Sequence, residues 1–322
     1  MKLEEIYRLA VTMGIKADPR GKREVDRLLA KEKEAYDKLS DEEKEDYDQD
    51  RLTNPFADSR ILNGDPKTEV WSIIAGVDME AQEIILADRL REKGRKIDLV
   101  LAHHPEGKAL AALSEVMAVQ ADVWHIAGVP INVGEAVLEG RMNEVMRMML
   151  PLNHQRPVQA AQLLDLPFMC AHTPCDNLVT GNLQKHFDKK GDRLTLKEVK
   201  DELLKYPEYK QAALNNAGPT IVVGSEKRRA GRILVDMTGG TGGPAESLEK
   251  LAIAGVGTLV GMHISEKNRE EAEKHKVNVV IAGHDSSDSI GMNLFLDELE
   301  KKGVEIIPCS GLHRVSRVKK KK

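Results

Sequence analysis

Short apolar runs that end in metal-binding residue types constrain this chain more than any other feature. Val70-Trp71-Ser72-Ile73-Ile74-Ala75-Gly76-Val77, Ile97-Asp98-Leu99-Val100-Leu101-Ala102 and Leu166-Pro167-Phe168-Met169-Cys170-Ala171 alternate with helical patterns at about 80–92, 110–119 and 135–150. Runs this short and continuous predict strands buried on both faces, and their alternation with helices predicts βα units around a covered sheet. The pattern resumes with strands at 220–223, 232–237, 258–261, 277–282 and 304–307, and with helices at 245–254, 266–275 and 289–301.

Residues 2–50 read as helix instead. Ile6, Leu9, Ala10 and Met13 recur at helical spacing, and Pro19-Arg20-Gly21 interrupts the pattern. The second piece is dense in alternating charge. Its thin stripe of Leu28, Leu29, Ala35 and Leu39 predicts an exposed helical extension. The expected architecture is therefore α/β with two lobes: a helical N-terminal extension over 1–53, a first α/β lobe over 54–180, a connector over 181–219 with one capped helix at 195–204, and a second α/β lobe over 220–322. No repeat of solenoid period is visible.

Composition narrows the function. The 322 residues suffice for a substantial core, and 41% are hydrophobic but only 3% aromatic. So few aromatics argue against a base-stacking platform for single strands. A net charge of −4 gives no general attraction to nucleic acid or anionic lipid. The one basic block, 319–322 preceded by Arg314 and Arg317, reads as a solvated tail. The start lacks a signal-peptide pattern, no apolar stretch is long enough for a membrane span, and Cys170, Cys175 and Cys309 do not form a disulfide framework. A cytoplasmic protein is expected.

Four strand ends carry more ligand atoms than folding requires. His103 and His104 follow Leu99 to Ala102, and Pro105 stops the strand so that neighbouring imidazoles can serve one place. Alone, they fit a pair of loop histidines equally well. His172 and Asp176 follow the third run, where Asp176 could also cap a turn. Cys170 and Cys175, spaced C-x4-C, match no zinc-finger pattern and read as small buried residues. His284 and Asp288 lie four apart at a helix start, one face of a turn, where Asp288 could also serve the helix dipole. His263 and Glu266 follow a further strand and read as supporting or surface residues.

Three imidazoles and two carboxylates without a thiolate suit zinc, iron, manganese, nickel or cobalt. A bridging carboxylate lets two such ions sit roughly 3.5–4 Å apart, the arrangement of metal-assisted hydrolysis. Gly240-Thr241-Gly242-Gly243-Pro244-Ala245 satisfies the letters of a dinucleotide fingerprint, but no acid ends the next strand and no Lys-Ser/Thr follows. It reads as a tight turn beside the metals, with a substrate phosphate as the lesser alternative.

Ala102-His103-His104-Pro105, Ala171-His172-Thr173-Pro174-Cys175-Asp176 and Gly283-His284-x-x-x-Asp288, in this order, resemble the Nif-three-like dinuclear metal centre family, whose members are often labelled GTP cyclohydrolase type 2 homologues. The similarity runs from about Asn54 to the C-terminus. It implies two α/β lobes facing each other across two divalent metals, and a hexameric ring. Carried over position by position, the metal ligands are His103, His104, Asp176, His284 and Asp288. The family has Glu where this chain has Asp288, so that carboxylate arm is one methylene shorter. His172 matches the histidine of the family's H-T-x-x-D motif and is the candidate for proton transfer.

The expected function is a metal-dependent hydrolase acting on a nucleotide-like or phosphorylated small molecule, in one version by opening the imidazole ring of GTP. The alternative is a non-catalytic metal-handling or protein-interaction scaffold.

Overall fold

The computed structural model describes residues 1–319, so 320–322 of the basic tail lie outside it. The described chain begins with α1 (Leu3–Ala17), α2 (Lys22–Asp37) and α3 (Asp41–Glu45). It continues through β1 (Ser59–Asn63), β2 (Ser72–Gly76), α4 (Ala81–Glu92), β3 (Leu99–Ala102), α5 (Gly107–Ala111), α6 (Leu113–Val116), α7 (Val119–Ile126), α8 (Ile131–Met149), α9 (Arg156–Leu163) and β4 (Phe168–Ala171). Next come α10 (Thr173–Lys190), α11 (Leu196–Leu203), α12 (Pro207–Leu214), β5 (Thr220–Val223), β6 (Arg232–Asp236), α13 (Ser247–Ile253) and β7 (Val256–Gly261). The chain ends with α14 (Glu266–Lys274), β8 (Asn278–Ile281), α15 (His284–Lys301) and β9 (Glu305–Pro308).

Two mixed sheets result, ordered β1-β4-β3-β2-β9 and β5-β8-β7-β6. In each, one antiparallel edge strand, β1 or β5, pairs with the strand that feeds a long helix, and the other pairings are parallel. Alternating side chains explain the apolar runs. Ile73, Ala75, Leu99, Leu101, Met169 and Ala171 face a core shared with α1 and α15, whereas Ile74, Val100, Ala102, Phe168 and Cys170 face α4, α5 and α9. The second sheet turns Ile233, Val235, Val260 and Val280 toward α10, α11 and α12. Its Leu234, Leu259 and Val279 turn toward α7, α8, α13 and α14. Each such aliphatic side chain contributes about 1.5–3 kcal/mol when fully buried.

α10 and α15 form the central layer between the sheets. They approach so closely at Gly291 that an added Cβ would lie 2.3 Å from the Cys175 carbonyl oxygen. That approach brings the beginnings of both helices, and the acids they carry, to one place.

Several elements differ from the sequence expectation. The final strand β9, read with the second half, pairs with β2 in the first sheet. α1 is not part of an outlying extension, because Leu3, Ile6, Tyr7 and Ala10 are buried in the first core; α2, with Val25 as its buried residue, does lie outside. Residues 181–219 hold most of α10 together with α11 and α12 rather than mainly connector. Arg314 and Arg317 are not a solvated tail. Arg314 pairs with Asp297 at 2.7 Å and with Glu300, and Arg317 reaches Glu208 at 2.7 Å.

Candidate metal centre

Three strand ends and two helix starts converge between the sheets. β3 stops at Ala102, and the amides of His103 and His104 then bond to the carbonyls of Gly76 and Val77, which fixes both imidazoles past the sheet edge. α10 begins after His172 and carries Asp176 in its first turn; α15 begins at His284 and carries Asp288. Beginning five residues earlier than its sequence pattern indicates, α15 places His284 and Asp288 one turn apart on the same face.

The acids and imidazoles face one another. His103 Nε2 lies 3.3 Å from Asp176 Oδ1 and 3.4 Å from Asp288 Oδ1. Asp288 Oδ2 lies 3.6 Å from Nε2 of both His104 and His284. The shorter arm of Asp288 therefore still presents both oxygens to three imidazoles. His103 with Asp176 and Asp288, His104 with His284 and Asp288, and His103 with His104 and His172 each form a group whose ligand atoms lie within 4.8 Å of one another. His172 thus stands among possible ligands as well as in the cavity wall.

Each of the three first-half imidazoles is oriented from behind. Nδ1 of His103 sits 3.2 Å from the Ala171 carbonyl, that of His104 2.6 Å from Asp78, and that of His172 2.8 Å from Asp58. A carbonyl or carboxylate can only accept, so Nδ1 carries a proton and Nε2 is the nitrogen turned inward, free to bind a cation once any proton on it has left. Asp58 is wholly buried and also accepts from the Thr173 hydroxyl at 2.6 Å. Burial is the largest single influence and opposes ionisation of Asp58, but the bond and charge of His172 together with the Thr173 and Ser59 hydroxyls outweigh it and hold the carboxyl below its ordinary range. For His103 burial likewise opposes the charged form, yet Asp288 and Asp176 hold it well above the usual histidine range.

Whether these residues suit a cation is tested by what they lack. His103 Nε2, Asp176 Oδ1 and both oxygens of Asp288 are buried with no hydrogen-bond partner. An isolated buried carboxylate costs several kcal/mol unless paired or coordinated. A cation among these atoms satisfies all four at once. The donor set of nitrogen and carboxylate oxygen fits the borderline and harder divalent ions.

A cavity of about 1000 Å³ opens onto this cluster. His172, Asp176 and His284 line its floor, and the loop 240–243 lines one wall. The loop is a turn, as its glycines suggest: Gly239 and Gly240 have φ of +97° and +78°, and the Gln120 amide donates to the carbonyls of Gly239 and Thr241. His263 also lines the cavity, its ring 5.2 Å from that of His284, whereas Glu266 sits at the start of α14 and pairs with Arg269. Cys170 and Cys175 are buried and free. Asp58 and Asp78, which hold imidazoles from behind, and Asp236, which lines the cavity, were not singled out by sequence reasoning. Asp78 had a signal in its place just past a buried strand beside the one ending in His103, and Asp236 in its place at the end of the strand before the glycine loop.

Fold and site define an α/β protein with two facing sheets and His/Asp groups able to hold metal between them. No protein-family model and no curated protein matches the chain. Among solved structures, a NIF3 superfamily protein from Sphaerobacter thermophilus is 27% identical with a TM-score of 0.70, covering 80% of this chain and 92% of that one. Reduced HcgD from Methanocaldococcus jannaschii is 16% identical, with a TM-score of 0.46 over 79% of this chain and 93% of that one. A Bacillus cereus protein related to NIF3 is 10% identical, with a TM-score of 0.41 over 82% and 92%. The resemblance carried by the three motifs therefore extends to the fold: this chain is similar over most of its length to a NIF3 superfamily protein. Among the described residues, no helix is long and apolar enough to cross a membrane.

Proposed function

We propose that the chain is a metal-dependent hydrolase with a dinuclear centre held by His103, His104, Asp176, His284 and Asp288, acting on a nucleotide-like or phosphorylated small molecule. The observation that supports it most is the set of orphaned buried atoms on His103, Asp176 and Asp288, behind an open cavity that Asp176 itself lines. Two divalent ions, when bound, acidify water and polarise an oxygen of the substrate. Asp288 would serve both ions, a role supported by its facing both subgroups of imidazoles. His172, aimed by Asp58 and lining the same floor, holds or moves a proton at Nε2. The cavity has room for a nucleotide-sized substrate, and ring opening of GTP is one reaction to screen.

The test is to purify the protein, measure bound metal per chain, and assay nucleotides and phosphoesters with and without chelator. Turnover that chelation abolishes and added metal restores is expected, and Asp288→Asn should lose metal and turnover together. Stoichiometric metal with no turnover on any substrate would favour a metal-handling or scaffold role. His172→Ala separates two roles. Loss of turnover with metal retained makes it a proton carrier, loss of metal makes it a ligand, and unchanged turnover removes it from the chemistry.

A further inference from the structure

The cavity holds one acid that neither the metal groups nor any structural pairing uses. Asp236 ends β6 on the same sheet face as Leu234, the face that packs its leucines and valines against α8 and α13. Strand alternation directs it there, into the cavity, alongside Leu248, Leu259 and Ile281. The cavity's cations are engaged elsewhere. Arg141 bonds Glu144 at 2.8 Å and the Gly242 carbonyl at 3.2 Å, and Lys267 pairs with Glu246 at 3.3 Å. Among the described residues, no hydrogen bond reaches the side chain of the part-buried Asp236, and burial beside apolar neighbours pushes its carboxyl up to about 6.

A part-buried carboxylate with no protein partner keeps both oxygens free to accept. A ligand entering the cavity supplies the missing donors. We propose that Asp236 is the specificity-determining residue of this cavity, and that its carboxylate accepts a pair of N–H donors from an amidine- or guanidine-type edge of a flat, apolar-sided ligand. A carboxylate takes two parallel N–H donors in one plane, and the leucine and isoleucine side chains beside it suit a ring. Its position at a strand end holds the acceptor rigidly. An analogue that replaces one N–H by an oxygen leaves an acceptor facing an acceptor, which such a site rejects strongly. This inference rests on the cavity being the substrate chamber of the proposed hydrolase, but its test does not need turnover.

Benzamidine and benzamide serve as probes, titrated calorimetrically into the full chain as purified and after chelation, with Asp236→Asn and Asp236→Ala beside the wild type. Wild-type protein should bind benzamidine at least tenfold tighter than benzamide, with or without metal. Both variants should lose that preference while keeping their metal content and thermal midpoint. Equal binding of the two probes by the wild type, or a preference that survives in Asp236→Asn, would overturn the inference even if hydrolase activity is found. A preference that depends on Asp236 in a protein without hydrolase activity would support the inference while the catalytic reading fails.

Discussion

Asp58 reaches neither the cavity nor the orphaned atoms, yet it decides which nitrogen His172 turns toward them. Its carboxylate accepts from His172 Nδ1 and from the Thr173 hydroxyl, holding ring and helix start as one unit. Asp58→Asn keeps the shape but replaces an acceptor by an amide that can turn either way. Groups that orient metal-binding imidazoles from behind are worth 10–100-fold in affinity or activity. Metal affinity or turnover of Asp58→Asn should fall by about that factor with the far-ultraviolet circular dichroism unchanged, and unaltered values for both would remove Asp58 from the site. Proton linkage gives a second expectation at this scale. Burial works against the charged forms of His103 and His172, but Asp288 and Asp176 around the first, and Asp176 and Asp58 around the second, hold both above the usual histidine range. In the metal-free protein these rings therefore keep protons to a higher pH than free histidine, and an incoming ion must displace them. Proton competition weakens as pH rises, so apparent affinity for zinc should climb through and above the histidine range. Calorimetry in two buffers of different ionisation enthalpy should show net proton release at pH 7; an enthalpy independent of buffer would contradict it.

Between elements, the critical contact is the crossing of α10 and α15. With Gly291 pressed against the Cys175 carbonyl, Gly291→Ala must push the helices apart, and Asp176 and Asp288 move with them. Overpacking of this kind costs about 1–3 kcal/mol. The variant should melt earlier and retain less metal than wild type, and a variant with unchanged melting and metal content would show that the helix ends can give. The same elements show what a sequence can reveal. Strands buried on both faces leave uninterrupted apolar letters, so eight of the nine strands among the described residues were legible from their runs with small errors at the ends, and one of the eight, β9, was assigned to the wrong sheet. β1 escaped notice because Arg60 sits within it, buried through bonds to the carbonyls of Phe56 and Ser59 that no periodicity foretells. The candidate ligands were visible because they cluster just past strand ends and because His284 and Asp288 repeat at one helical turn. Asp58 was not, and Asp236 was passed over at its strand end, since a single acid acquires its meaning from partners far along the chain, or from their absence.

At the scale of the whole molecule, the two sheets share one plan but the chain does not divide between them. Each sheet sets an antiparallel edge strand beside the strand that feeds a central helix. The metal groups draw His103, His104 and Asp176 from one half and His284 and Asp288 from the other. Beyond the site, β9 hydrogen-bonds to β2, and Met292, Phe295, Leu296 and Leu299 of α15 complete the core beneath the first sheet. A fragment of residues 1–219 would thus leave β2 as an open edge and expose the apolar face that α15 covers. Those four large side chains alone represent several kcal/mol of burial, against a domain stability of about 5–15 kcal/mol. The fragment is therefore expected to bind a hydrophobic dye and to lack a cooperative thermal transition, while the full chain unfolds in one step with both halves together. Sharp, reversible melting of the fragment with a native-like circular dichroism spectrum would show that the first sheet stands without the C-terminal strand and helix. The two halves would then be independent units meeting only at the metals, and loss of metal should loosen one from the other without unfolding either.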